Sequence, residues 1–434
     1  MTAARTDYRA RVEMLVARRF RWVLGGILVL AFLLRVGARA ASGSAFFWKN
    51  SYIFYYDLAQ SLASGRGYAW ANGKPTVFRV PFYSIFVAAA TQGRQDFWAL
   101  LIAQALVSTG TVACAAALAW RFFGRRAALA AAALTALYPY YLWHDTSLQE
   151  TGLLTFLTVF ATVLLFATQQ SRGLALAAST GLVFGLAILT RSIVLPFAVF
   201  AVAWLIVRDP YRHALGKRIA TALLCGAALT ATLSPWLIRN HGLTGRWTLS
   251  SEFGAALYFG NNAHTFDFYP QRTIDLSAAA AFGSLTADDE AALNAIRKDE
   301  VARSAWFRQR GMEYILANPG GFITGAIRKN LAAFGVVPSP RHDWKTDLIQ
   351  GGSYGIILVL ALVGMWRTRA RWRDFVPVYA NFILFAGITG VLWGHSSHRA
   401  FLDVYLIIFA SGVVVAAYAK ITGASPSARA PHPA

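Results

Sequence analysis

Apolar runs long enough to cross a bilayer recur along the chain, separated by short turns that carry arginine. A transmembrane helix needs roughly 20 such residues. The pattern predicts about ten spans, at residues 22–41, 97–120, 127–143, 151–168, 174–190, 193–207, 219–236, 353–366, 375–393 and 401–419. Basic residues gather in alternate turns: Arg121, Arg125 and Arg126; Arg172; Arg208, Arg212, Lys217 and Arg218; Arg367, Arg369, Arg371 and Arg373. Cytoplasmic loops carry the Lys/Arg excess, so these turns are expected inside, with the arginine-rich start (Arg5, Arg9, Arg11, Arg18, Arg19, Arg21). Both termini are then cytoplasmic.

Two long polar stretches fall on the other side. In the first, 42–96, Tyr55, Leu58, Ala59 and Leu62 form one apolar stripe at helical spacing, with Asp57 beside Gln60, Ser61 and Ser64 opposite. This reads as a short helix on the membrane surface, its polar side turned to an aqueous cavity. Gly65, Gly67, Gly73, Pro75 and Pro81 then break any longer element, and 80–91 is too short to span and is placed as a re-entrant or surface helix. The second stretch, 237–352, contains one helix from an N-cap at Thr286 to a stop near Asn318-Pro319-Gly320. An amphipathic run at 322–334, with Arg328 and Lys329, suits the interface. The expected organisation is an N-terminal transmembrane module (1–236), an external segment (237–352), C-terminal spans (353–420) and a disordered tail (421–434).

Composition agrees. At 434 residues, 56% hydrophobic and 14% charged, the chain is too apolar for a soluble globular protein. The net charge of +21 would suggest nucleic acid in a soluble protein; here it is mostly an orientation signal. Cys114 and Cys225 both fall inside spans and are not expected to pair. The first apolar run has no good cleavage site after it, so no signal peptide is expected.

The external face collects unusual groups: Asp57; His144, Asp145 and Glu150; Arg79, Arg191, Arg239 and Arg399; His395 and His398. Orientation does not explain arginines at outer mouths, and guanidinium binds phosphate bidentately. Arg35, inside the first span, is read as snorkelling to the outer interface. A sugar linked to lipid phosphate has a weakly basic leaving group that needs charge stabilisation, while the incoming hydroxyl needs a base. Asp57 is the first candidate carboxylate, with Glu150 and Asp145 next. A divalent metal between these acids is chemically allowed, but no spacing calls for one, and no cofactor is implied.

Several stretches, in order, resemble a known family: DLAQSLASGRGYAW, GKPTVFRVPFYSIFVA, YPYYLWHDTSLQETGLL, GLAILTRSIVLP, SPWLIRNHGLTGRWTLSSEFGAALYFGNN, NPGGFITGAIRKNL and HRAFLDVYLIIFA. From about Leu33 to Ala410 the chain resembles bacterial GT-C glycosyltransferases of the group containing protein O-mannosyltransferases and the lipid A aminoarabinose transferase. The resemblance implies an all-α polytopic fold in a bacterial inner membrane. It also implies sugar transfer from a polyprenyl-phosphate carrier to a lipid, glycan or protein acceptor on the external face, by a single inverting displacement. It places the catalytic aspartate in the first external loop, here Asp57, and a second acid at Asp145 or Glu150. Arg79, Arg191, Arg239 and Arg399 would contact the carrier phosphate, and Tyr55, Tyr83, His395, His398 and Asn261 the substrates. Many relatives have an aspartate where this chain has Asn50 and Ser51. The paired D-x-D or D-E of the metal-dependent and protein-mannosylating branches is absent, so neither property is implied.

The competing readings are a lipid or oligosaccharide transporter and a membrane scaffold with a receptor-like external domain. A transporter calls for polar groups at mid-membrane and often two similar halves, and the sequence suggests neither.

Overall fold

The computed structural model describes the backbone of residues 2–49 and 52–422, and side chains in those ranges from Arg19 onward. Asn50, Ser51, the side chains of Arg5, Arg9, Arg11 and Arg18, and all but the first two residues of the expected tail lie outside the described residues.

The chain opens with α1 (Thr2–Ser42), then the short α2 (Ser44–Lys49), α3 (Phe54–Ala63) and α4 (Phe82–Thr91) before α5 (Phe97–Phe123). There follow α6 (Arg125–Leu137), α7 (Pro139–His144), α8 (Thr151–Ser171), α9 (Leu174–Thr190), α10 (Leu195–Val207) and α11 (Leu215–Thr244). The next segment holds α12 (Glu252–Gly260), α13 (Ile274–Gly283), α14 (Ala287–Ala295), α15 (Glu300–Ala317) and α16 (Pro319–Phe334). Finally come α17 (Trp344–Arg367), α18 (Val376–Val391) and α19 (Ala400–Thr422).

Among the described residues, seven helices are long and apolar enough to cross a membrane. The other three expected spans are built from shorter pieces. Residues 127–143 divide between α6 and α7 at Pro139, which lacks the N–H that would continue the helix. α9 has 17 residues and stops where Arg191 takes extended backbone, φ −157°. α10 adds 13 more. The polytopic all-α architecture stands. Its outer surface carries apolar side chains that are more than half exposed, among them Leu33, Leu223, Ile356, Val359 and Ile383. Such a surface suits lipid.

Small residues set the helix packing. A Cβ at Gly181 on α9 would lie 2.0 Å from the Cys225 carbonyl of α11, so only glycine permits this approach. The arginine turns meet at one end: Arg121 donates to Gln170 and Tyr211, and Arg172 donates to the Leu205 carbonyl and pairs with Asp209 at 3.5 Å. Glu150 and Arg191, in separate loops, lie at the other end of α8 and α9.

Three expectations change. Arg35 does not snorkel: it is fully buried, donating to Ser108 and to the Ala31, Thr135 and Ala136 carbonyls, 4.0 Å from Asp145. The helix expected to run on from Thr286 is two helices. Thr286 does cap the first through Asp289 N, but Asp299 then accepts from Val301 N and Ala302 N and starts the second. A side chain that caps competes with helix continuation. Lys329 is not an interfacial cation: it is buried, and its ammonium donates to the Gly260 carbonyl and Asn261 Oδ1.

Candidate active site

The site begins with three breaks in helical structure at one end of the bundle. Glu150 ends the loop 145–150 and precedes α8. Arg191 sits in the extended break after α9. Arg79 lies in the irregular stretch between α3 and α4. Breaks of this kind free backbone and side chains from the helical repeat and let distant residues meet.

They meet as a string of alternating charge. Glu252, at the start of α12, pairs with Arg79 at 2.8 Å. Arg79 faces Tyr52, Tyr55 and Glu150. Glu150 pairs with Arg191 at 3.5 Å, and Arg191 donates to His398 Nε2 at 3.1 Å. Arg79 and Arg191 keep 21% and 18% of their side-chain surface exposed. That partial access separates them from structural arginines: both can still reach a ligand. The Tyr55 phenol is raised well above its usual pKa, first by burial and then by Glu150, so it stays neutral and can donate a hydrogen bond.

Glu300 positions the loop that carries Arg79. Its carboxylate accepts from Trp70 Nε1, Thr76 Oγ1 and Val77 N at 2.8–3.0 Å. Arg239 holds the same loop, donating to the Tyr68 and Thr76 carbonyls and to Asn240, with its guanidinium over Trp236. It is occupied as a strut of the loop.

The other expected residues are distributed as follows. Asp57 lies on α3, partly buried, and among the described residues its carboxylate has no hydrogen bond or ion pair. It is two residues beyond Tyr55, about 200° around the helix axis, while Tyr55 faces Glu150 and Tyr83. Burial raises the Asp57 carboxyl above its usual range. The stripe Tyr55, Leu58 and Ala59 is buried as the periodicity implies, but Ser61, expected on the polar face, is buried too. Asp145 is buried against Ser108 and Arg35, and burial pushes its carboxyl up to about 6 despite both partners. Arg399 is buried, ion-paired with Asp403 at 2.6 Å, 3.3 Å above the Tyr354 ring. Tyr83 donates to Gln104 at 2.6 Å in the core. Asn261 donates to the Leu257 and Val391 carbonyls and so ties α12 to α18.

Beside the string lies a cavity of about 470 Å³, lined in part by Tyr52, His144, Gln149, Asp275, His395 and His398. His395 meets Ser339 Oγ at 2.8 Å, and burial lowers its pKa to about 4. His144 stacks on Tyr140, its pKa lowered to about 3, mainly by burial. Both rings are therefore neutral near pH 7. Among the described residues no three of His, Cys, Asp and Glu are grouped to hold a metal ion.

Sequence reasoning missed Glu252, Tyr52, Gln149 and Asp275. Glu252 had a signal: it is the one acid in SPWLIRNHGLTGRWTLSSEFGAALYFGNN, a stretch otherwise rich in basic and apolar residues.

Comparison with known proteins adds a family match over part of the chain and a fold. Residues 79–238, somewhat more than a third of the chain, match the family model for dolichyl-phosphate-mannose-protein mannosyltransferase. No curated protein matches the sequence. The oligosaccharyltransferase of Archaeoglobus fulgidus, tethered to an acceptor peptide containing the NVT sequon, superposes with a TM-score of 0.55 at 16% identity, covering 94% of this chain and 50% of that one. Its apo form gives a TM-score of 0.50 at 16% identity, covering 92% and 51%. The chain thus spans about half the length of that enzyme. The matched segment contains Arg79, Asp145, Glu150 and Arg191. By architecture and by that segment, the chain has the GT-C glycosyltransferase fold.

Proposed function

We propose that this protein is a membrane glycosyltransferase that moves a sugar from a polyprenyl-phosphate carrier to an acceptor hydroxyl. The observation that carries this is the string Glu252–Arg79–Glu150–Arg191–His398, partly exposed at one end of an apolar bundle and next to a cavity. Guanidinium groups at that depth suit a lipid-linked phosphate, and a neighbouring carboxylate suits a hydroxyl nucleophile.

In this reading Arg191 and Arg79 hold the carrier phosphate. Glu150 accepts the proton of the acceptor hydroxyl as its oxygen attacks the anomeric carbon. The bond from that carbon to the phosphate oxygen breaks, and the electron pair leaves with the phosphate, whose growing charge the arginines stabilise. No acid is needed at a leaving group of such low basicity. One displacement inverts the anomeric centre. Asp57, the first candidate from sequence, becomes the second candidate base, partly exposed and unpaired among the described residues; Glu150 is preferred because it stands between the two arginines.

The positive-inside pattern favours a site on the external, periplasmic face of a bacterial inner membrane, with both termini cytoplasmic. The test is transfer of radiolabelled sugar from a synthetic polyprenyl-phosphate donor in proteoliposomes. Wild-type protein should release free polyprenyl phosphate as the sugar moves. No donor turnover, even in native membranes with their acceptors present, would overturn the reading.

A further inference from the structure

The cavity beside the charged string contains polar atoms that its own walls do not use. Gln350 is 7% exposed and lines the cavity, and among the described residues its Oε1 has no hydrogen-bond partner. His144 lines it as well. Its Nδ1 meets Gln149 Nε2 at 3.0 Å, and its Nε2 is buried without a partner among the described residues. An amide nitrogen donates, so His144 Nδ1 accepts and Nε2 carries the proton. The cavity wall thus holds an unused acceptor and an unused donor, each closed to solvent. Leaving such groups bare is unfavourable, and a ligand toward which they turn, able both to give and to take hydrogen bonds, relieves it.

The rest of the lining defines that ligand further. Tyr52, Tyr140, Trp143 and Trp393 supply aromatic surface, and Trp143 is 39% exposed. Flat apolar faces interleaved with neutral hydrogen-bonding groups match a pyranose, which has C–H faces and a hydroxyl rim. Charge argues against an anionic head group. Asp275 lines the wall, and Arg39 is already engaged with Thr146, Ser147 and the Trp143 carbonyl and lies over the Trp143 ring. The volume of about 470 Å³ falls within the range of roughly 300–1,000 Å³ common for small-molecule sites.

We propose that this cavity binds a neutral sugar unit of the acceptor, so that the acceptor is a carbohydrate chain. The proposal rests on the glycosyl-transfer reading and names its acceptor class. The connection is His398, which lines the cavity and also accepts from Arg191, itself paired with Glu150. A hydroxyl at the His398 end of a bound sugar therefore lies toward the proposed base.

Saturation-transfer NMR on the purified full-length protein, without donor, tests this. The probes are methyl glycosides of mannose, glucose and galactose, N-acetylglucosamine, a neutral trisaccharide and a Ser/Thr hexapeptide. At least one sugar should receive saturation and the hexapeptide none. Gln350→Leu and Trp393→Ala should each weaken binding roughly tenfold, the loss expected for one well-placed contact. Ser397→Trp, which fills the cavity from a partly exposed position, should abolish it, and Lys420→Ala at the opposite end should change nothing. Thermal melts confirm that each variant is folded; should Gln350→Leu or Trp393→Ala fail to fold, Ser397→Trp decides. No saturation of any sugar, saturation of the peptide alone, or sugar binding that survives Ser397→Trp overturns the proposal. Sugar binding without any glycosyl transfer would keep the cavity assignment and remove the transferase reading. Transfer to a peptide with no sugar binding would do the reverse.

Discussion

The Arg191 guanidinium stands 3.5 Å from the Glu150 carboxylate, at the mouth of the bundle and not within it. Both residues sit at breaks beside helices that pack together, α8 and α9, so the pair is set by the framework, with Glu150 buried and Arg191 partly exposed. Arg399, by contrast, is buried, with Nε engaged by the Ala333 carbonyl and one amino group by Asp403. Arg191 keeps part of its surface exposed, and in the proposed reading this difference separates carrier-binding arginines from structural ones.

The choice between carboxylates is testable directly. Glu150→Gln should lower the rate of transfer by about 10²–10⁴-fold, the contribution of a positioned base, with melting little changed. Asp57→Asn should leave the rate within a few-fold of wild type. The opposite pattern in a proteoliposome turnover assay would move the base to Asp57.

Arg191→Met should raise the KM for a polyprenyl-phosphate donor more than Arg239→Met does, since Arg239 is taken up by the carbonyls of the Arg79 loop. Arg239→Met should instead lower the melting temperature. Equal KM effects with equal melting would contradict the division.

Asp145 gives the fold a dependence on pH. Its folded pKa, about 6, is above the usual 3.8 because of burial. The folded state therefore holds this proton more tightly, and the stabilisation is complete below pH 3.8 and lost as pH rises through 6. Melting in detergent between pH 4.5 and 7.5 should show this loss in wild type and not in Asp145→Asn. Arg35→Met leaves the carboxylate buried without its counter-charge and should destabilise by about 3–5 kcal/mol at pH 7.5, less at pH 5. A melting profile unaffected by either substitution would argue against the pair.

Gly260 is one place where the segment between α11 and α17 touches the bundle. A Cβ there would lie 1.7 Å from the Leu392 carbonyl. Gly260→Ala should therefore force α12 away from α18 and disturb the hydrogen bond from Lys329 to the Gly260 carbonyl. Limited proteolysis should show faster cleavage within 245–343. Unchanged proteolysis would mean that the contact yields without consequence.

Hydrophobic periodicity alone determined that the chain is a helical membrane protein, where most crossings lie, and which turns share an end, because bilayer thickness and charge asymmetry act on composition one segment at a time. It also delivered Glu150, Arg79 and Arg191 as candidates, since arginine at an outer mouth breaks the orientation rule. It ranked Asp57 ahead of Glu150 and Asp145, with no information on which carboxylate meets the arginines. Whether Asp57 or Glu150 faces the arginines depends on the rotation of α3 against α4, and that rotation is set by Tyr55 packing on Tyr83. Whether an arginine is a strut or a binder depends on partners from remote segments: Asp403 for Arg399, the Tyr68 and Thr76 carbonyls for Arg239, Glu150 for Arg191. The burial of Arg35 had the same origin, for its partner Asp145 lies six helices further along the chain, after α7. Only the tertiary structure decided these matters, because electrostatic pairing acts across space between groups whose separation along the chain carries no periodic signal.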